Sequence, residues 1–281
     1  MLPSTSTRSP RPARVQATTV GLVLVSTVSH AWWNLLLKRS NGGATFIGLS
    51  KVAEVVLFAP ALLLYPAPVL LGVLSEWPRI VVATLLTLAN YTALDRAYRA
   101  GDLSFVYPIA RGGALLFLPL LAFPVLGERL STWGAVAIGL IVAGIAVLPL
   151  ASLSYRALSA LVPRLRGRAT LWALAAALTT AAYTVWDARA VRTLPAFAYF
   201  YAYTVMVAAS YALFLLRRVG VRTLRTEWRT HRWPIVQVGV CNVVTYLLVL
   251  LALRSGPSSG VVALRQLGIV VGAFLGWRLL G

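Results

Sequence analysis

The stretch from Asn90 to Gly101, NYTALDRAYRAG, returns later in the chain as Thr245 to Gly256, TYLLVLLALRSG. Tyr91, Ala97, Arg99 and Gly101 align with Tyr246, Ala252, Arg254 and Gly256 at one constant offset. After a single deletion, Arg111 aligns with Arg265 and Gly127 with Gly281. A chain that repeats itself this way builds two copies of one unit, and its composition says in which solvent. It is 59% hydrophobic and 12% charged, with a mean hydropathy of +0.80. A soluble fold of 281 residues has no room to bury that much apolar surface.

Runs of roughly 20 apolar residues match a bilayer as helices. The sequence predicts an all-α integral membrane protein with nine transmembrane helices, at 17–37, 47–72, 80–98, 103–126, 132–151, 169–188, 195–216, 234–253 and 258–280. Residues 1–15, rich in Ser, Pro and Arg, read as a disordered basic tail. Arg8, Arg11 and Arg14 followed by an apolar run imitate a signal peptide, with Ser29-His30-Ala31 in cleavage-site style. The run is longer than a signal core and has a counterpart in the second half, so it reads as a retained helix.

The first repeat is expected at 17–151, an Arg-rich connecting segment at 152–168, and the second repeat at 169–281. Five spans per unit is an odd number, so the second copy enters the membrane from the opposite face. The two halves then form an inverted repeat, a construction of secondary transporters with a site near midplane.

Twenty-six Lys and Arg against seven acids give a net charge of +19. The charge is divided among short gaps between spans, so no basic domain is left over for nucleic acid. Positive loops facing anionic lipid account for it. By loop charge, the positive-inside rule favours an external N-terminus. A single cysteine, Cys241, gives neither a disulfide framework nor a cysteine-based metal site, and no cofactor is expected.

Polar residues inside spans mark the bundle interior or a cavity. His30, Asn34 and Lys38 stand at i, i+4 and i+8, flanked by Trp32 and Trp33. Lys38, with Arg39, reads as an interfacial anchor. Lys51 with Glu54, and Asp95 with Arg99, read as intrahelical pairs, the first near the interface. Tyr107-Pro108-Ile109-Ala110-Arg111-Gly112-Gly113 predicts a kinked or broken helix presenting a guanidinium suited to carboxylate or phosphate. Its repeat mate is Arg265, beside Gln266. The alternative is that both arginines hold carbonyls or one of Glu54, Glu128 and Asp187.

The candidate substrate-binding set is Asn34, Asn90, Tyr91, Tyr107, Arg111, Tyr183, Asn242, Tyr246, Arg265 and Gln266. His30 and Asp187 are candidates for ion coupling, Asp187 alternatively neutralising Arg189. Gly268, Gly272 and Gly276 form a small-residue packing stripe.

His30-Ala31-Trp32-Trp33-Asn34 with Lys38-Arg39-Ser40 resembles the first helix of EamA-type proteins of the drug/metabolite transporter superfamily. The stretch from Gly101 to Gly112, GDLSFVYPIARG, resembles their fourth-helix signature, and Gly127-Glu128-Arg129-Leu130-Ser131 the motif that follows it. The resemblance covers about 17–281. It implies ten helices in two inverted halves and a pathway lined chiefly by the third, fourth, eighth and ninth. It also implies small-metabolite transport, often export, at the cell membrane, with both termini cytoplasmic. A tenth helix is expected past Gly281, after an acid corresponding to Glu128, and the sequence given holds neither.

The expectation is therefore a secondary transporter of a small metabolite in a lipid bilayer, and not an enzyme. Rivals are a membrane-embedded lipid-modifying enzyme, or a non-transporting subunit or sensor. The enzyme lacks support because the two histidines are far apart and no paired carboxylates or HExxH spacing occur. A homodimer, or a partner that supplies a helix, is the expected assembly if the chain does not work alone.

Overall fold

The computed structural model describes residues 16–40, 43–147 and 165–268, with residues 271 and 278. Among these the chain is helical, without strands. The helices are α1 (Ala17–Arg39), α2 (Ala44–Phe58), α3 (Ala67–Ser75), α4 (Trp77–Ala100) and α5 (Leu103–Leu126). They continue with α6 (Thr132–Val147), α7 (Arg168–Ala190), α8 (Ala196–Arg218), α9 (Gly220–Ser255) and α10 (Ser258–Arg265). Six helical segments are long and apolar enough to cross a membrane, seven if α3 and α4, bent by 65° at their junction, form one span. The predicted basic tail, most of the 152–168 connector, Gly272 and Gly276 lie outside the described residues, and the ninth span is described as helix only through α10 and its first following residues.

The outer surface confirms the solvent. Leu63, Leu64, Leu120 and Leu140 are 69–87% exposed, although the interior itself holds leucines, valines, alanines, threonines and aromatic rings. In lipid such an apolar exterior is stable, and the helices associate through close packing that includes small residues. The protein is a multi-pass membrane protein.

One prediction fails in an instructive way. The apolar run 47–72 does not form one span. It is α2, then a 3-10 helix over Ala59–Leu64, then α3. Pro60 and Pro68 stand in the first turns of the 3-10 helix and of α3, and Pro66 caps α3, so each opens a new helical segment rather than continuing one. The span ends at Leu64, and α3 starts a new direction. Conversely, α5 runs unbroken from 103 to 126 despite Pro108, Pro119 and Pro124, so of the kinked or broken helix expected there the break is absent. The eighth predicted span is the second part of α9, whose helix is interrupted at His231 (φ −122°, ψ 20°) three residues before Pro234.

Chain direction follows from contacts at the ends. At one face Thr19 Oγ1 lies 3.2 Å from Ser255 Oγ, Arg79 reaches Thr193 at 3.2 Å, and Tyr65 stacks on Phe197. At the other face Phe46 meets His231, and Gly101 meets Ala169. α1 therefore runs from the Thr19 face to the Gly101 face, and its counterpart α7 runs back. The same reversal relates α2 to α8, α4 to α9 and α5 to α10. Partners are exchanged accordingly: α1 packs along α9 as α7 packs along α4, and α5 lies on α7 as α10 lies on α1. α2 and α8, one from each half, pack on each other.

Two glycines of the repeat mark this exchange. A Cβ on Gly101 would lie 2.7 Å from Ala169 Cβ, and one on Gly256 would lie 2.8 Å from Thr19 Cγ2. Each glycine ends the third helix of its own half against the first helix of the other. Gly101→Ala and Gly256→Ala are expected to destabilise by similar amounts, about 1–3 kcal/mol each, through overpacking. Thermal unfolding in detergent checks this, and an effect at only one position would contradict the matched geometry.

The alanine-rich face of α7 occupies the centre. Ala173, Ala176, Ala177 and Ala181 are buried against α4 and α5, where Gly113 approaches Ala177. Small residues on both helices bring the backbones close, which places the polar residues of α5 and α7 around a common interior.

Candidate functional site

A small interior cavity of about 40 Å³ is lined from four helices. α1 gives Ser26, Thr27 and His30; α5 gives Tyr107, Arg111 and Ala114. α7 gives Thr180 and Thr184, and Val262, Arg265, Gln266 and Gly268 come from α10 and the residues just after it. Within each helix these residues follow three- or four-residue spacing, so one face of each helix turns inward. The lining itself is two-fold: hydroxyls from the first helix of each half, and an arginine from the fourth helix of each half. The helices implied by the family resemblance were the third, fourth, eighth and ninth; this cavity has the first and sixth in place of the third and eighth.

Arg111 lies with its guanidinium 5.5 Å from the centre of the Tyr107 ring, and its buried Nε has no hydrogen-bond partner. Thr27 Oγ1, across the cavity, is also buried and unpartnered. Among the described residues that line the cavity there is no Asp or Glu. Trp33 Nε1 donates to His30 Nδ1 at 3.1 Å with the rings edge-on, so His30 Nδ1 is an acceptor and Nε2 is left as the donor. The cavity thus offers two guanidinium groups, an imidazole and several hydroxyls, all suited to oxyanion oxygens.

The other predicted residues fall around this centre in three ways. Asn34 lies outside it, exposed, with its amide donating to the His30 carbonyl of its own helix at 2.7 Å. Each i to i+4 step advances about 40° around an ideal helix, which carries Asn34 off the face of His30. Asn90 stands one layer behind the cavity. Its Nδ2 reaches the Ala176 carbonyl at 2.9 Å and the Thr179 and Thr180 hydroxyls at 3.1 and 2.9 Å, fastening α4 to α7. Tyr91 packs edge-on against Tyr211.

Asn242 donates to Glu54 Oε2 at 3.2 Å, and Lys51 Nζ lies 3.0 Å from Glu54 Oε1. The intrahelical pair is as predicted, but it is buried inside the bundle rather than near an interface. The Asp95–Arg99 pair forms at 2.9 Å and is exposed. Asp187 does not pair with Arg189: the hydroxyl of Tyr199 donates to its Oδ1 at 2.7 Å and that of Tyr246 to its Oδ2. Tyr183 lies with its ring centre 6.3 Å from that of Tyr246.

Sequence reasoning missed the hydroxyls Ser26, Thr27, Thr180 and Thr184. The available signal was a pair of hydroxyl doublets, Ser26-Thr27 and Thr179-Thr180, in the first span of each half. It also missed Tyr199 and the role of Glu128. Gly127, in the left-handed region at φ 68°, closes α5 and turns the chain so that Glu128 faces the start of α10. There Glu128 Oε2 accepts from the Ser258 backbone N–H at 2.8 Å and its hydroxyl at 2.7 Å, while Oε1 pairs with Arg192 at 3.2 Å. A first-half carboxylate thereby caps the helix that carries Arg265.

The chain is thus an apolar membrane bundle with reversed halves and a polar cavity between them. Residues 167–281 match the family model of the EamA-like transporter family. Its members are membrane transporters of the drug/metabolite superfamily. A solved crystal structure shares the fold, with a TM-score of 0.70 at 17% identity over 94% of this chain and 88% of that one. No curated protein matches the chain.

Proposed function

We propose that the protein is a secondary transporter of a small anionic metabolite, working by alternating access between its two reversed halves. The observation that carries this reading is the pairing of Arg111 and Arg265, repeat mates at one cavity without a carboxylate among its described lining residues. An uncompensated guanidinium pair inside a membrane bundle is costly, and a ligand carboxylate or phosphate satisfies it. The volume is too small for a metabolite as it stands. About 40 Å³ holds a few waters, whereas a metabolite site needs some hundreds of Å³. Solute entry therefore requires the halves to part.

The wider groove lined by Val25, Val28, Ser29, Trp32 and Cys241 opens to the apolar outer surface and suits a lipid chain. The Gly101 face carries Arg39, Arg96, Arg99 and the arginines between Arg217 and Arg232, which by loop charge supports that face as the cytoplasmic one, opposite to the cytoplasmic N-terminus that the family resemblance implies. The resemblance of the signature motifs adds export as the direction.

The test is counterflow in proteoliposomes. Vesicles loaded with candidate anionic, zwitterionic or cationic solutes are assayed for uptake of the same labelled solute. Anions are expected to exchange and cations not. Exchange restricted to cations would remove the arginines from the substrate site, and turnover of a lipid without vectorial movement would favour an enzyme.

A further inference from the structure

Asp187 is 2% exposed on α7, and among the described residues no Lys or Arg lies within ion-pair distance of it. The other buried acid, Glu54, has Lys51 as its cation, and the half-buried Glu128 has Arg192. Asp187 instead has two phenol donors from two different helices, Tyr199 of α8 and Tyr246 of α9. The groups facing it are aromatic. Tyr203 packs against Tyr199 at 5.4 Å and against Tyr246 at 6.4 Å between ring centres, and Phe200 stacks on Tyr246 at 5.6 Å. Arg79 of α4 interacts electrostatically with Tyr199, and Arg265 of α10 with Tyr246. Tyr246 also meets Tyr183, which interacts electrostatically with Arg111.

Asp187 therefore joins the second, third and first helices of one half, and its neighbours lead to both arginines of the cavity. A carboxylate held only by hydroxyls in an apolar bundle has two acceptable forms. Ionised, it accepts from both phenols. Protonated, it is neutral and becomes a donor, and the Tyr246 hydroxyl is released to turn. We propose that Asp187, with Tyr199 and Tyr246, is a proton-carrying site that couples proton movement to solute movement through the arginine cavity. The proton is taken from water at one face as the carboxyl O–H forms, and is returned to water at the other face as that bond breaks. No electron transfer is involved. This inference rests on the cavity being the transport site.

Two measurements on the full chain test it. The first needs no solute. The chain has seven side-chain carboxyls, so infrared difference spectra between acid and neutral pH isolate one of them by substitution. Acidification is expected to produce a protonated-carboxyl band that is lost in Asp187→Asn and kept in Glu54→Gln. Identical bands in the parent protein and Asp187→Asn would overturn the proposal. The second uses labelled inorganic phosphate and succinate as probes in proteoliposomes. For Asp187→Asn, the ratio of accumulation driven by a pH gradient to counterflow is expected to fall about tenfold or more. Tyr246→Phe, which keeps the acid, should lower the ratio less. An unchanged ratio, or accumulation driven equally by a sodium gradient alone, would overturn it. Absence of counterflow in the parent protein would instead count against the transport reading, leaving the infrared result to decide the protonation claim.

Discussion

Arg111→Gln is expected to lower solute counterflow by about ten- to a hundredfold while leaving membrane insertion intact. A charge-assisted hydrogen bond contributes about 1.5–3 kcal/mol, and each 1.4 kcal/mol is about tenfold. Glutamine keeps a donor at the cavity wall but removes the charge and the fork geometry. Arg265→Gln should act similarly, because its position is the repeat mate and it faces the same cavity. The pair should be less than additive if both arginines hold one anion. Asn34→Ala provides the contrast. Its amide bonds only to its own helix and is exposed, so flux should stay within about twofold. Steady-state counterflow, normalised to protein in the vesicles, reads all three. Normal flux in both arginine variants would remove the guanidinium pair from the site.

The second large effect is on stability. Glu54→Leu leaves Lys51 buried without its partner at 3.0 Å, and truncating one member of a buried pair costs about 3–5 kcal/mol. Lys51→Met leaves Glu54 with Asn242 alone and should cost a comparable amount. The double variant, apolar at both positions, is expected to recover most of the loss, since matched hydrophobic replacements of buried pairs are often neutral. Thermal unfolding in detergent gives the comparison. If the double variant is as unstable as the worse single, the pair is not acting as a unit, and Asn242 or the close Gly239–Ser50 approach carries more of the packing.

Legibility from sequence followed the physics of each feature. The fourth span was readable to the residue at 103–126 because Gly101-Asp102 and Gly127 punctuate it at both ends. The second was misread because hydropathy counts Pro60, Pro66 and Pro68 as apolar enough while each of them opens a new helical segment. Arg111 and Arg265 stood out because a charge in a span is rare and a repeated one rarer. The threonines did not, because Thr residues in these helices mostly bond their own i−4 carbonyl, as Thr84, Thr87 and Thr92 do. Nothing in a linear reading distinguishes those from Thr184 at the cavity. Asp187 was visible as an intramembrane acid, but its partners depend on how α8 and α9 fold back on α7. Sequence spacing points to neighbouring Arg189 rather than to Tyr199 and Tyr246.

The reversal of the halves was inferred from an odd number of spans, and the end-to-end contacts of Thr19 with Ser255 and of Gly101 with Ala169 display it. What the reversal is for is the central claim: one cavity, opened in turn to each face. Ala114, 1% exposed and at the cavity wall, is the place to ask. A single cysteine there, in a Cys241→Ser background, is treated in oriented vesicles with a membrane-impermeant thiol reagent applied from one side or the other. The account predicts labelling from both sides, with a transported anion slowing it from each. Labelling from neither side, or from one side under every condition, would contradict alternating access at this cavity.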